Sequence, residues 1–169
     1  MKMSPDNQKF PPHFREFIQA LNNNDVEYML IGGYAMGAYG HIRATSDLDI
    51  FINATENNAD RLVQACIEYG IEQESLQKKM FLVPKMIGIG QPPLRIEILK
   101  HLDVIDFDLA YQRVMKREVD GVEIKVISLE DLTALKKAAI IDRGASRDSE
   151  DLDYLNKLNQ LIKKKGKIF

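Results

Sequence analysis

Eighteen residues, Gly32 to Asp49, constrain this chain more than any other stretch. A short apolar run, Val26 to Ile31, breaks on Gly32-Gly33. Small and apolar residues follow from Tyr34 to Tyr39, and Leu48 to Ile52 then reads as a second strand with Asp47 at its entry and Asp49 inside it. On a strand, residues two apart share a face. Asp47 and Asp49 therefore converge while Leu48 and Ile50 enter the core. Two anions so close repel and are costly to bury unpaired, and a hard divalent cation such as magnesium resolves both difficulties. The plainer alternative is a strand edge facing water with both carboxylates solvated. Gly32-Gly33 could be an ordinary tight turn, or a turn that lets backbone N–H groups approach a phosphate ahead of a helix. Found together, the two features suit one half handling a triphosphate and the other its metal.

The remaining pattern predicts one domain with a helical end. A polar arm with Pro5, Asp6 and Pro11 occupies residues 1–11, a core spans 12–127, and a C-terminal helical segment packed on it spans 128–169. Phe14, Phe17, Ile18 and Leu21 have helical spacing after Pro12, and a helix is expected over Glu56 to Tyr69. Met80 to Val83 reads as a strand before Pro84. Met86 to Ile89 and Leu94 to Leu99 read as a hairpin, as do Met115 to Val119 and Val122 to Ile127 around Asp120-Gly121. Gly88, Gly90 and Gly121 fit turns and hairpins. Ser128 to Asp131 resembles a capping box, with Asp in place of the usual Glu, opening a helix to Asp142. A last helix is expected from Arg147 to Ile162, then a frayed, solvated tail with Lys163, Lys164, Lys165 and Lys167. The fold class is α/β (α+β), a mixed sheet flanked by helices.

Composition narrows the function. A net charge of −2 argues against coating nucleic acid through bulk charge. Cys66 is the only cysteine and sits on an amphipathic pattern, so it reads as a buried structural thiol. No apolar run is long enough for a membrane helix, and the N-terminus lacks the apolar stretch of a secretory signal. The expectation is a cytoplasmic protein with no membrane partner. His13, His41 and His101 share no metal-ligand spacing.

Gly32-Gly33, a gap of thirteen residues, and Asp47-Leu48-Asp49 resemble the signature of the polymerase-β-like nucleotidyltransferases. More closely, Ile31 to Ala35 with Gly40, Arg43, Thr45, Asp47 and Asp49 is similar to small bacterial nucleotidyltransferases related to toxins of abortive-infection toxin–antitoxin pairs. Ser128 to Leu132, Lys136, Arg147-Asp148 and Asp151-Leu152 look like that group's C-terminal pattern. The resemblance implies a nucleotidyltransferase-type mixed sheet and magnesium-dependent transfer of a nucleoside monophosphate from a nucleoside triphosphate to a hydroxyl-bearing acceptor. It implies two Mg2+ ions, for which Mn2+ could substitute, with Asp47 and Asp49 as ligands and Asp49 bridging. It also implies a third carboxylate on a neighbouring strand. Glu97, alternating with Arg95 on one face of Leu94 to Leu99, is the best candidate, although the family position is more often Asp. Asp103, Asp106 and Asp108 are its rivals.

In this reading Gly32, Gly33 and Tyr34 hold phosphates through backbone groups. Arg43 neutralises triphosphate charge or forms a surface salt bridge. Thr45 or Ser46 adds a hydroxyl or only satisfies its own turn. Lys136 faces the phosphates or, like Lys137, belongs to a solvated helix face. The acceptor could be a small molecule, a protein or an RNA. A second copy of the chain could supply a missing wall, and an antitoxin is the expected partner if the chain is a toxin modifying tRNA. Glu97 in place of Asp keeps open an inactive nucleotide-binding module.

Overall fold

The computed structural model describes residues 10–144 and 146–168. Among the described residues, six α-helices and six strands follow in the order α1 (Pro12–Asn23), β1 (Tyr28–Ile31), α2 (Gly32–Ala38), β2 (Leu48–Ile52), α3 (Glu56–Tyr69), β3 (Ile87–Ile89), β4 (Ile96–Leu99), α4 (Phe107–Gln112), β5 (Met115–Val119), β6 (Val122–Val126), α5 (Leu129–Arg143) and α6 (Ser146–Ile168). The strands form one mixed sheet in the order β3-β4-β2-β1-β6-β5. Hairpin pairs close both edges, β3 against β4 and β5 against β6, while β2–β4 and β1–β6 run parallel. Of the expected arm, residues 1–9 lie outside the described residues. Phe10 is buried, its ring stacked on Tyr34 with centroids 4.8 Å apart.

Apolar patterning explains most of this. Phe14, Phe17, Ile18 and Leu21 form the buried stripe of α1, Tyr28 to Ile31 are all buried, and Leu48 and Ile50 are fully buried on either side of Asp49. Leu132 of α5 and Leu155 of α6 join the same core as the sheet. Burial pushes the Cys66 thiol up to about 12, so this cysteine is a packed, unreactive group. Among the described residues, no helix is long and apolar enough to cross a membrane.

Two local expectations fail. Met80 to Val83 is not a strand: Lys78–Phe81 forms a 3-10 turn. Phe81 is its one buried side chain, and a single anchor suits a turn better than a half-buried strand. Gly88 lies inside β3, within the hairpin expected from Met86 to Leu99. The C-terminal helix does not end at Ile162 but continues to Ile168: lysine is a good helix former and is favoured near a helix C-terminus by the dipole, which offsets the single Gly166. The start of α5 also refines the expected cap. Ser128 Oγ accepts from the Asp131 N–H at 3.1 Å and donates to Asp131 Oδ2 at 2.8 Å. Asp131 is thereby turned toward Arg113, which grips it through two bonds of 3.1 and 2.9 Å.

Candidate functional site

β1 and β2 are antiparallel, with Ile31 opposite Asp49, so the end of β1 delivers Gly32 to the flank of the acidic strand. The register is tight. Gly32 has φ +73°, and a Cβ there would overlap Asp49 Oδ2. A Cβ on Gly33 would stand 2.6 Å from Thr45 Cγ2 and 2.7 Å from its Oγ1. Gly32 is therefore required by its left-handed backbone as well as by close approach, and Gly33 by close approach alone. Replacing Gly32 by alanine is expected to cost about 1–3 kcal/mol from the left-handed backbone alone and to displace the Asp49 carboxylate. Thermal denaturation reads the first effect. An unchanged melting temperature would show that the turn relaxes freely.

β2 and β4 are parallel, and their register sets Asp49 beside Glu97. Burial, then a hydrogen bond shared with Glu97, then the charges of Glu97 and Asp47 raise the Asp49 carboxyl to about 7, against a smaller lowering by Lys136. Asp47 stands two residues earlier, at the entry of β2. Its Oδ1 is buried without a hydrogen-bond partner. The three acids are thus a hard-oxygen set with too few protons or cations among them. A carboxyl raised by its acidic neighbours and an orphaned carboxylate oxygen are what a divalent ion would satisfy, so these residues fit magnesium. Among the described residues, no three acidic, histidine or cysteine side chains are gathered closely enough to enclose an ion by themselves.

A cleft of about 540 Å3 opens over this pair. Gly32, Gly33, Asp49 and Glu97 form its floor, Arg43 and Lys136 give it cations, and Leu132, Leu135 and Ala139 of α5 give it an apolar wall. The size and the mixture of apolar wall with a few polar groups suit a small organic ligand. Asp103 and His101, paired at 3.0 Å, also line it. Of the rivals to Glu97, only Asp103 is therefore at the cleft: Asp106 caps α4 by accepting from the Leu109 N–H, and Asp108 accepts from Asn53 Nδ2.

The other residues singled out from the sequence sit less directly. The Tyr34 ring faces Phe10 and Phe14, and its hydroxyl donates to the Thr45 carbonyl at 3.4 Å, so the side chain supports the loop from the core side. The Thr45 hydroxyl donates to the Arg43 carbonyl at 3.2 Å, satisfying its own turn. Ser46 is exposed. Arg43 is in neither a surface salt bridge nor open solution. Its Nε and Nη2 each donate to Asp151 of α6 at 3.0 Å, and Lys136 Nζ reaches the same carboxylate at 2.9 Å and Asp148 at 3.2 Å. Asp151 is fully buried. The role of Asp151 as the clamp on both cations is not readable from spacing, because its partners lie 108 and 15 residues away. In the sequence Asp151 stands out through the likeness of Asp151-Leu152 to the C-terminal pattern of the resembled group, which names no partner for it.

Residues 12–168 match the family described as "Nucleotidyl transferase of unknown function (DUF2204)". The chain belongs to that family. The fold agrees with this membership. An antigenic nucleotidyltransferase-like protein from Paracoccidioides brasiliensis superposes with a TM-score of 0.53 at 18% identity, over 85% of this chain and 73% of its own. A protein of Thermotoga maritima assigned to the nucleotidyltransferases gives a TM-score of 0.50 at 18% identity, over 85% of this chain and 91% of its own. At this identity the likeness is one of fold. No curated protein matches the chain.

Proposed function

We propose that the cleft transfers a nucleoside monophosphate from a nucleoside triphosphate to an acceptor hydroxyl. The observation that carries this reading is the pairing of Asp49 with Glu97 on adjacent parallel strands, on the floor of a cleft that Arg43 and Lys136 also line. Acids at one point and cations nearby are the arrangement that a metal-bound polyphosphate needs. Asp47, Asp49 and Glu97 would hold magnesium. Bound there, the two ions of the expected mechanism would lower the pKa of the acceptor hydroxyl and stabilise charge on the transferred phosphate and the leaving pyrophosphate.

The chain's own groups do the rest. Gly32 and Gly33 present backbone without side-chain cover to the phosphates. Arg43 and Lys136 offset their charge while Asp151 fixes where those cations stand. The acceptor oxygen forms a bond to the α-phosphorus as the bond from that phosphorus to the bridging oxygen breaks, and pyrophosphate leaves with the electron pair. The acceptor's proton passes to the Glu97 carboxylate. The longer Glu97 side chain, in place of the more usual Asp, still stands beside Asp49, which favours an active enzyme over an inactive binding module.

Incubation with labelled nucleoside triphosphates, magnesium and a panel of acceptors tests the proposal. The wild type should incorporate label and the Asp47→Ala/Asp49→Ala protein should not. Equal incorporation by the two proteins would remove the acids from the reaction.

A further inference from the structure

Gly88 is an odd residue for its place. β3 has three residues, and a glycine at the centre of so short a strand weakens it. The reason lies on the neighbouring strand. A Cβ on Gly88 would overlap Nη2, Nε and Cζ of Arg95, so the glycine leaves room for the guanidinium to lie across β3.

Arg95 is two residues before Glu97 and shares its face. The Leu48 N–H donates to the Arg95 carbonyl at 2.9 Å, which carries the β2–β4 register one step further. Arg95 therefore flanks Asp47 as Glu97 flanks Asp49. Yet the guanidinium is poorly used. Among the described residues its nearest carboxylate is Glu97, with Nε 4.0 Å from Oε1, too far for a hydrogen bond. Its other polar contact is the Met86 sulfur at 4.0 Å from Nη2, and its Nε is buried without a partner. The Asp47 oxygen on the next strand is orphaned in the same way. Neither residue lines the main cleft.

The seat on Gly88 carries the Arg95 guanidinium toward β3, the edge strand beyond β4, whereas the glycine turn follows β1 on the other side of the acids. Donor phosphates held by Gly32, Gly33, Arg43 and Lys136 would be separated from Arg95 by the acids themselves. An anion arriving from the β3 side would meet the acids' repulsion, and Arg95 is the group that offsets it. A planar fork with free N–H groups matches phosphate oxygens two at a time.

We propose that Arg95, seated on Gly88, binds a phosphate carried by the acceptor beside the hydroxyl to be modified. This rests on the nucleotidyl-transfer reading and narrows its acceptor to phosphorylated hydroxyl compounds. A nucleic-acid 3′ end and a small sugar phosphate share that chemistry.

Binding to the full chain tests it without requiring turnover. The probes are a 5′-labelled RNA pentanucleotide with a free 3′-hydroxyl, ribose 5-phosphate against ribose, and a fluorescent ATP analogue. The wild type should bind at least one phosphate-bearing acceptor probe, and which of the two it prefers identifies the source. Arg95→Gln should weaken that binding about ten- to hundredfold, the usual range for losing a hydrogen bond to a charged group, and leave the ATP analogue within about twofold. Arg95→Lys should lose less. Gly88→Ala, which pushes the guanidinium aside, should reproduce the loss with Arg95 still present and serves if Arg95→Gln does not fold. Equal affinities of wild type and variants for both phosphate probes would overturn the assignment. So would no binding of either probe by the wild type, or an equal loss for the ATP analogue, which would make Arg95 a donor contact. Arg95-dependent phosphate binding by a protein that incorporates no nucleotide would instead leave the phosphate site standing and remove the transfer reading.

Discussion

Replacing Asp49 by asparagine is expected to make the ligand-free protein more stable at pH 8 while reducing transfer about a thousandfold or more. The two effects have one cause. The carboxyl is raised from 3.8 to about 7 by burial and by Glu97 and Asp47. Between those values the folded protein holds a proton that the unfolded chain has released. Stability therefore falls as pH rises from about 4 to 7, and the penalty is fully present above 7. Asparagine carries no charge to repel Glu97 and can still donate a hydrogen bond to it. Relief on the order of 2 kcal/mol corresponds to a rise of about 4–8 °C in Tm for a chain of this size. The gain should shrink at pH 5, where the wild-type carboxyl is already protonated. On the proposed reading, magnesium should raise the Tm of the wild type more than that of the variant, which keeps Asp47 and Glu97 but loses the ligand between them. The loss of transfer follows from removing several kcal/mol of charge stabilisation at the reacting phosphate. Thermal melts across pH 5 to 8 in chelator, then with magnesium, separate the two effects. A lower Tm for the variant at pH 8 would show that the acids are not in conflict.

Asp151→Ala is expected to be the most destabilising single change at the site. The alanine leaves Arg43 and the buried Lys136 facing each other without the carboxylate that both now grip. Breaking a buried pair from one side typically costs about 3–5 kcal/mol, so the Tm should fall by about 10 °C or more. The damage should spread along α6, which the carboxylate ties to the loop after α2 together with the Tyr154 hydroxyl, 2.7 Å from the Tyr39 carbonyl. Hydrogen exchange should show lost protection there. Pairing Asp151→Ala with Lys136→Met should recover part of the loss, because one stranded cation is then gone; strictly additive losses would mean the two residues do not interact. Burial would raise the Asp151 carboxyl, but hydrogen bonds from Arg43 and Lys136, and their charges, hold it below its ordinary value. Its contribution is present above the ordinary carboxylate range and is lost only under more acid conditions. Asp151 therefore adds no slope between pH 5 and 8.

These two residues also mark how far the chain could be read without its fold. Asp49 was legible because the cue is local: alternation in five residues fixes which side chains share a face, and Gly32 stands close enough in sequence to be read with it. Glu97 was legible as a candidate by the same alternation, whereas Asp103 could not be separated from Asp106 and Asp108, since loop residues carry no period. Arg43 and Lys136 were visible as cations only. Whether each meets water, phosphate or a carboxylate depends on α6, and nothing in their neighbourhoods encodes it. Gly88 was legible as part of a hairpin, but the reason for a glycine there was not, because it is a guanidinium seven positions away on the next strand.

By itself the sequence determined the chain-local elements: most of the helices and strands, the two hairpins, the glycine turn and the acidic pair, each set by periodicity or backbone geometry within a few residues. Only the tertiary structure decided the parallel register that sets Asp49 beside Glu97, the clamp of Asp151 on Arg43 and Lys136, and the seating of Arg95 over Gly88. Such contacts are chosen by packing between segments distant along the chain, where many partners satisfy the local pattern equally and shape and charge select one.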